Sequence, residues 1–353
     1  MATDIRSRLR DLTGQLEEKH SLTEKEYVFL IENRDEETAR DLASRAVKIR
    51  RQIYGNDVFT RGLIEISNIC RNNCYYCGIR RDNKNCSRYR LTPEEIFDCA
   101  REGYGLGFRT FVLQGGEDAW FTDERLCEIV SRLKDSFPDA AVTLSMGERS
   151  RESYQRLAEA GADRYLLRHE TADEEHYGRL HPPEMSFRNR MDCLKELRAA
   201  GYQVGAGFMV GSPYQTAAHL AEDLKFIETF KPDMCGIGPF IPHHETPFAG
   251  FEQGTLELTC FLLSVIRLIH PPVLLPATTA LGTIHPTGRE LGILAGANVV
   301  MPNLSPLGRR KQYELYDGKI CTGDESAQCV ECLDARMRRI GYRLVKERGD
   351  IRK

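Results

Sequence analysis

The sequence has almost no excess of charge. Its 49 Lys and Arg nearly balance 52 Asp and Glu, leaving a formal net charge of −3. Such a chain gives no electrostatic reason to expect nucleic acid or an anionic membrane as partner. Long apolar runs are also missing, and none approaches the ~18 residues that suggest a membrane span. The first eight residues have no apolar signal core, so no secretion signal is expected. Twelve cysteines in 353 residues are too few for a disulfide scaffold. Five of them (Cys99, Cys127, Cys193, Cys235 and Cys260) stand singly in apolar or helical segments and read as small buried hydrophobes. A dinucleotide fingerprint is lacking, because Gly205-Ala-Gly207 is next followed by Gly211, which breaks the G-x-G-x-x-G spacing. What remains is an ordinary globular composition, 41% apolar and 29% charged, expected in a reducing, cytoplasmic setting.

Against that background Cys70-Arg-Asn-Asn-Cys74-Tyr-Tyr-Cys77 stands out. Three thiols within eight residues, at the end of the apolar run 62–69, can wrap one corner of an iron–sulfur cube. Cube clusters are usually held by four cysteines. Three ligands leave one iron open, which suits binding and activating a small molecule. A structural zinc loop is the bland alternative, but it needs four ligands and usually a second close pair. None follows nearby, and Cys86 alone is an awkward fourth.

From residue 62 short apolar runs alternate with helical patterns. The runs fall at 62–69, 110–114, 141–146, 164–168, 203–210, 234–241, 273–280 and 298–302. Thr92-Pro-Glu-Glu95 is a helix start with Pro at the first position and Glu placed to cap. Gly161 and Gly201 stand where helices close. Eight strand–helix units predict an α/β fold, a (β/α)8 TIM-type barrel over 56–306. An open doubly wound sheet is the alternative. Residues 1–55 read as a helical extension, with Leu9, Leu12 and Leu16 on one face and Ser21-Leu-Thr-Glu24 resembling a capping box. Residues 307–353 form a C-terminal helical segment containing Cys321, Cys329 and Cys332. That second triplet suggests an accessory iron–sulfur or zinc site with one ligand missing, or a structural clip.

In such a barrel the chemistry sits at the C-terminal strand ends. Polar and glycine residues gather there: Gln114-Gly115-Gly116-Glu117-Asp118, Ser145, Arg168-His-Glu170, and Thr278-Thr279. Side chains alternate along a strand, so Arg164, Leu166, Arg168 and Glu170 share a face. Inward arginines need carboxylates or a bound anion; Glu117, Asp118 or Glu65 would serve as internal partners. Arg190, early in a predicted helix, could take a carboxylate bidentately or lie solvated on the surface.

The cysteine triplet resembles the signature of radical S-adenosylmethionine (SAM) enzymes, and Gly115-Gly116-Glu117 resembles their glycine-glycine-glutamate segment. Longer blocks narrow the likeness: 67–78, Arg80-Arg-Asp-Asn-Lys-Asn85, Arg88-Tyr-Arg90, 162–172, 236–243 and Pro276-Ala-Thr-Thr-Ala280. Over residues 56–335 the chain resembles the HydE family of [FeFe]-hydrogenase maturases. Methylornithine synthases and biotin synthases are near relatives and supply the alternatives, a mutase or a sulfur inserter. A non-catalytic iron–sulfur or zinc scaffold is the reading from another class. The resemblance implies a [4Fe-4S] cluster on Cys70, Cys74 and Cys77, and SAM cleaved reductively to a 5′-deoxyadenosyl radical. It implies cofactor contacts from Tyr76, Gly115, Gly116, Glu170, Arg190 and Met234. It implies a substrate cavity lined by Gln114, Ser145, Thr278 and Thr279, joined by Arg164, Arg168, Tyr313 and Tyr316. It implies an accessory [2Fe-2S] or [4Fe-4S] cluster on Cys321, Cys329 and Cys332. The implied substrate is a cysteine-bound iron complex with CO and cyanide, delivered by HydG. HydF receives the product, and ferredoxin or flavodoxin supplies electrons. Gly115 departs from the family pattern, where Ser is expected, and so removes one hydroxyl from the cavity.

Overall fold

The computed structural model describes residues 2–320 and 327–352. Three helices come first: α1 (Ala2–Lys19), α2 (Glu24–Glu32) and α3 (Glu36–Tyr54). The capping box of α2 lies two residues after the expected one. Thr23 accepts from the Glu26 amide, and the Glu26 carboxylate returns to the Thr23 amide. Thr23 has both a hydroxyl and a glutamate three residues on, which is what the reciprocal pair needs.

The barrel follows. β1 (Asp57–Thr60) lies outside it. β2 (Gly62–Ser67), β3 (Thr110–Gly115), β4 (Ala141–Ser145), β5 (Arg164–Leu166) and β6 (Gln203–Ala206) pair in parallel, in order. After Gly207 and Phe208 the fifth barrel segment continues as β7 (Met209–Val210). β8 (Met234–Cys235) pairs with β6, and β9 (Gly238–Pro239) pairs with β7. Single bridges close the ring: Met234 to Leu274, Pro276 to Val299 in β10 (Val299–Val300), and Asn303 to Leu63. The result is eight parallel segments in a closed ring. Segment seven makes only isolated bridges, and Thr279 already begins a helix. The chain's last strand, β11 (Arg343–Val345), joins β1 and β10 in a separate three-stranded sheet that the apolar pattern does not announce.

Helices α4 (Pro93–Leu106), α5 (Asp123–Ser136), α6 (Arg151–Glu159), α7 (Glu174–Leu180), α8 (Phe187–Ala199), α9 (Ala217–Phe230), α10 (Leu256–Ile269), α11 (Thr279–Ile284) and α12 (Gly288–Leu294) connect the strands. α13 (Leu307–Arg310) and α14 (Val330–Arg339) follow them. Thr92 caps α4 with Glu95 reciprocating. Two apolar bodies hold the layers together. One joins β2 to β6 with α4, α5, α6 and α8 through Ile64, Phe111, Leu126, Leu157 and Leu194. The other joins the N-terminal helices to α9 and α10 through Leu12, Leu42, Leu224 and Leu262. Burying such side chains contributes roughly 1.5–3 kcal/mol each.

Strand register fixes the height of each inward residue. Glu65, Gln114 and Ser145 form one row. Leu63, Val112, Thr143 and Arg164 form the row below it. This overturns the placement of Arg164 at the substrate cavity. As the first residue of β5 it lies at the barrel floor, where its guanidinium meets Asp350 at 2.5 Å, the Arg348 carbonyl at 2.8 Å and Thr110 Oγ1 at 3.0 Å. The carboxylate it needs comes from the C-terminal tail, not from Glu117, Asp118 or Glu65. Met234, the first residue of β8, stands one row higher, paired with Gly205 beside Leu166. Its sulfur lies 2.6 Å from Arg61 Nη1, and both line the floor with Arg164 and Gln203.

Candidate active site at the cysteine loop

The loop after β2 carries Cys70, Cys74 and Cys77 at the C-terminal mouth. Its shape is held by neighbours in sequence and by the next strand. The Arg88 guanidinium donates to four carbonyls of the loop: Asn68 at 2.6 Å, Ile79 at 2.8 Å, Arg80 at 2.6 Å and Asn83 at 3.1 Å. Asn68 Oδ1 accepts from the Tyr89 amide at 2.7 Å. Asp118 gathers Arg90 bidentately (2.7 Å twice), Ser67 Oγ at 2.7 Å and the Trp120 amide at 3.1 Å. Gly116 passes so close beneath the loop that a Cβ there would strike the Ile69 carbonyl oxygen and lie 2.8 Å from Cys70 Cβ. Gly115 is looser, with its nearest atom, the Ser67 carbonyl oxygen, at 3.2 Å.

The three thiols are half-buried. Burial, with Cys70 beside it, pushes the Cys74 thiol up to about 12. Burial and then its two sister thiols raise Cys77 further, and burial raises Cys70. Three adjacent thiolates need a positive centre among them, so binding a cluster here releases protons. Cys86 stands apart, accepting from Asn68 Nδ2 at 3.5 Å.

Beside the thiols is an aromatic wall. Tyr76 lies edge-on to His181, with its hydroxyl 3.0 Å from Nε2. His181 Nδ1 lies 2.9 Å from the Tyr177 carbonyl, so it carries the hydrogen and Nε2 accepts from Tyr76. Burial holds this imidazole neutral, down to about 3. Tyr75 and Tyr76 also pack against Met209, Phe240 and Phe248. An apolar aromatic surface of this kind suits a purine ring.

Across the mouth stand Arg168, Glu170 and Arg190. Arg168 Nη2 is 3.1 Å from Glu170 Oε2, yet neither atom makes a well-formed hydrogen bond. Arg168 Nε is buried without a partner as well. The two charges pair with each other, but the hydrogen-bonding capacity they leave unused makes room for a polar ligand. Arg190 donates to Glu148 at 2.5 Å and to the Arg168 carbonyl at 2.6 Å. Burial works against its charge, but Tyr177, Glu148 and Tyr76 outweigh it and keep the guanidinium protonated. Three neighbouring thiols, a strand edge kept bare at Gly116, and an Arg168–Glu170 pair with unused hydrogen-bonding capacity together fit a cube cluster and an amino-acid-like ligand.

A strap from the C-terminal segment covers the barrel interior. Gln114 Nε2 reaches Tyr313 Oη at 3.4 Å. Tyr316 bonds Thr283, and burial pushes its phenol up to about 12. Lys319 donates to the Tyr313 carbonyl at 2.8 Å and pairs with buried Glu65 inside the barrel, where Asn303 also donates to Glu65 at 2.9 Å. Thr278 sits at the N-cap of α11 but does not cap it, and its hydroxyl is buried without a partner. Thr279 Oγ1 lies 3.5 Å from Arg289 Nη2. Ser145 stands in the Gln114 row, half-buried.

Cys70, Cys74, Cys77, Tyr76, Glu170 and Arg190 lie close enough to feel one another's charge, whereas Arg164 lies apart at the floor. The residues missed are Arg88, His181 and Lys319 as parts of this machinery, and Glu65, expected as an internal partner of the arginines, pairs with Lys319 instead. Arg88 had a signal, the basic Arg88-Tyr-Arg90 run beside the cysteines. Lys319 had none, because its partner lies 254 residues away. In the accessory triplet Cys329 and Cys332 are joined to each other, Cα atoms 5.3 Å apart. Cys321 lies outside the described residues.

Comparison with known proteins agrees with this geometry. Residues 64–227 match the family model of the radical SAM superfamily. The chain is 49% identical over 288 residues to the [FeFe] hydrogenase maturase subunit HydE of Thermotoga maritima, covering 82% of each chain. Among solved structures it superimposes on methylornithine synthase (PylB) with a TM-score of 0.81 at 27% identity, covering 95% of this chain and 97% of that one. The fold is also that of the maturase HydG from Carboxydothermus hydrogenoformans, with a TM-score of 0.79 at 21% identity over 97% and 80% of the two chains.

Proposed function

The chain belongs to the HydE family of [FeFe]-hydrogenase maturases, within the radical SAM superfamily, and on that premise we propose that it converts a cysteine-bound iron complex carrying CO and cyanide during assembly of the hydrogenase diiron site. Its cofactors are a [4Fe-4S] cluster and SAM. When bound, the cluster supplies the electron that cleaves SAM to methionine and a 5′-deoxyadenosyl radical.

In this reading Cys70, Cys74 and Cys77 hold three irons and leave the fourth for SAM. The edge at Gly115 and Gly116 takes the SAM ammonium, while Glu170 and Arg190 fix its amino-acid end. Tyr76, its hydroxyl held by His181, packs beside the adenine. Glu148 keeps Arg190 extended toward the mouth. Gln114, Ser145, Arg168, Thr278, Thr279, Tyr313 and Tyr316 line the space in which the substrate sits. Arg168 gives that space a positive charge suited to an anionic iron complex. The strap closes the interior to solutes whose C–H or S–H bonds would otherwise quench a carbon radical. HydG supplies the substrate, HydF receives the product, and a ferredoxin or flavodoxin reduces the cluster, all in the cytoplasm. Cys321, Cys329 and Cys332, once reduced, hold an accessory cluster that the reaction does not need.

One observation supports this reading above the others: three half-buried thiols share the mouth with an Arg168–Glu170 ion pair whose hydrogen-bonding capacity is left unused. The test is anaerobic turnover with synthetic cysteine-bound Fe(CO)2CN complex, SAM and dithionite, followed by infrared spectroscopy of the carbonyl and cyanide bands. Conversion coupled to adenosyl consumption is expected. Uncoupled SAM cleavage with unchanged bands would rule out this substrate.

A further inference from the structure

Glu170 stands in an unusual backbone state. Its φ is +68°, in the left-handed region that non-glycine residues enter at a cost. Two ladder bonds hold it there: its amide donates to the Gly207 carbonyl at 3.0 Å, and its carbonyl accepts from the Met209 amide at 3.2 Å. These bonds do not explain what surrounds them. His169 and Asp223 are both wholly buried. Asp223 sits on the face of α9 that also carries Leu220, Leu224 and Ile227. A carboxylate among such residues is expensive unless it has a specific task.

The bonds define that task. The Gly207 amide donates to His169 Nδ1 at 3.3 Å. Nδ1 is therefore the acceptor, Nε2 carries the hydrogen, and it donates to Asp223 Oδ1 at 3.1 Å. The same oxygen accepts from the Ala172 amide at 2.7 Å. One carboxylate oxygen thus grips the chain immediately before Glu170 and two residues after it. The ring is boxed in by Phe226, with centroids 4.5 Å apart, and Phe208, 5.9 Å. Gly207 is itself obligatory, since a Cβ would strike the Gly236 carbonyl.

We propose that His169 and Asp223 are positioning residues that hold Glu170 in its left-handed conformation, so that its carboxylate faces the SAM amino-acid group. The inference rests on the reading that Glu170 contacts SAM. It does not require Asp223 to be charged. Asp223 Oδ2 has no hydrogen-bond partner, so an asparagine could place its oxygen on both donors and its amide at the idle position.

The test uses the reconstituted holoenzyme of Asp223→Ala, Asp223→Asn, His169→Phe and Glu170→Gln. Cluster content is checked by iron and sulfide analysis, and SAM affinity is read from the change SAM causes in the EPR spectrum of the reduced cluster. With cluster content as in wild type, D223A and H169F should weaken SAM binding about ten- to hundred-fold, as loss of partners that orient a ligating group does. D223N should restore affinity to within about threefold, and the loss should fall on KM for SAM more than on kcat. If D223A lowers thermal stability but its folded fraction binds SAM as wild type does, the pair is merely structural and the proposal fails. Should D223A not fold, H169F and D223N decide: wild-type affinity in H169F, or loss in D223N equal to that in H169F, contradicts the proposal. If E170Q binds SAM normally, the premise itself fails, which is distinct from a positioning failure with E170Q impaired.

Discussion

Two adjacent glycines illustrate how strictly the site is packed. Gly116 has no room for a methyl group, because backbone atoms of the cysteine loop occupy the place. Gly115 has room to within a few tenths of an ångström. Backbone cannot move aside as a side-chain tip can, so the two substitutions should differ sharply. Gly116→Ala is expected to displace Cys70 and cut iron bound per chain by more than about half, whereas Gly115→Ala keeps it within about a fifth of wild type. Iron and sulfide analysis after reconstitution checks both. Equal losses would mean that the close approach at Gly116 does not govern the cluster loop. At this scale the sequence was most legible where chemistry demands proximity along the chain. Cys70, Cys74 and Cys77 must be neighbours to share one cube, so spacing reveals them. Arg164 and Arg168 share a face by alternation, but alternation gives direction and not height. Strand register puts Arg164 at the floor, where it meets Asp350, and Arg168, past the end of β5, pairs with Glu170.

Elements were legible to the extent that local patterns decide them. The Thr92-Pro-Glu-Glu95 start and the apolar runs of β2 to β6 are local signals, and they match the structure. The seventh and eighth segments are shorter than their runs, because Thr279 turns into α11 and bridges suffice to close the ring. The strap over the mouth was not legible as a covering element. It has no helix or strand period, and it is held by tertiary contacts alone: Gly78 amide to Leu315 carbonyl at 2.8 Å, Asp317 amide to Pro242 carbonyl at 3.0 Å, and Lys319 to Glu65. The last pair is the strap's anchor inside the barrel. Lys319→Met should leave the Glu65 carboxylate buried with Asn303 alone and destabilise the holoenzyme by roughly 3–5 kcal/mol. Adding Glu65→Gln should recover much of that loss, since no charge then remains buried. Urea unfolding of the two single variants and the double variant tests the coupling. Additive losses would show that the pair does not anchor the strap.

The whole molecule divides its labour between the two ends of the barrel. The floor is closed by charge pairing of Arg164 with a tail that returns through β11 to β1. The mouth gathers the thiols, the aromatic wall and the Arg168–Glu170 and Arg190–Glu148 pairs. The N-terminal helices stand against α9 and α10, and so support from outside the helix that carries Asp223. No helix among the described residues is long and apolar enough to cross a membrane. The central claim concerns the mouth: three cysteines hold a cluster at which SAM is cleaved. Its most direct measurement is 5′-deoxyadenosine released by the anaerobically reconstituted protein with dithionite and SAM, run beside Cys74→Ser. The account predicts product from the wild type and essentially none from C74S. Absence of product from wild-type protein with a spectroscopically intact cluster, or equal product from both, would contradict it.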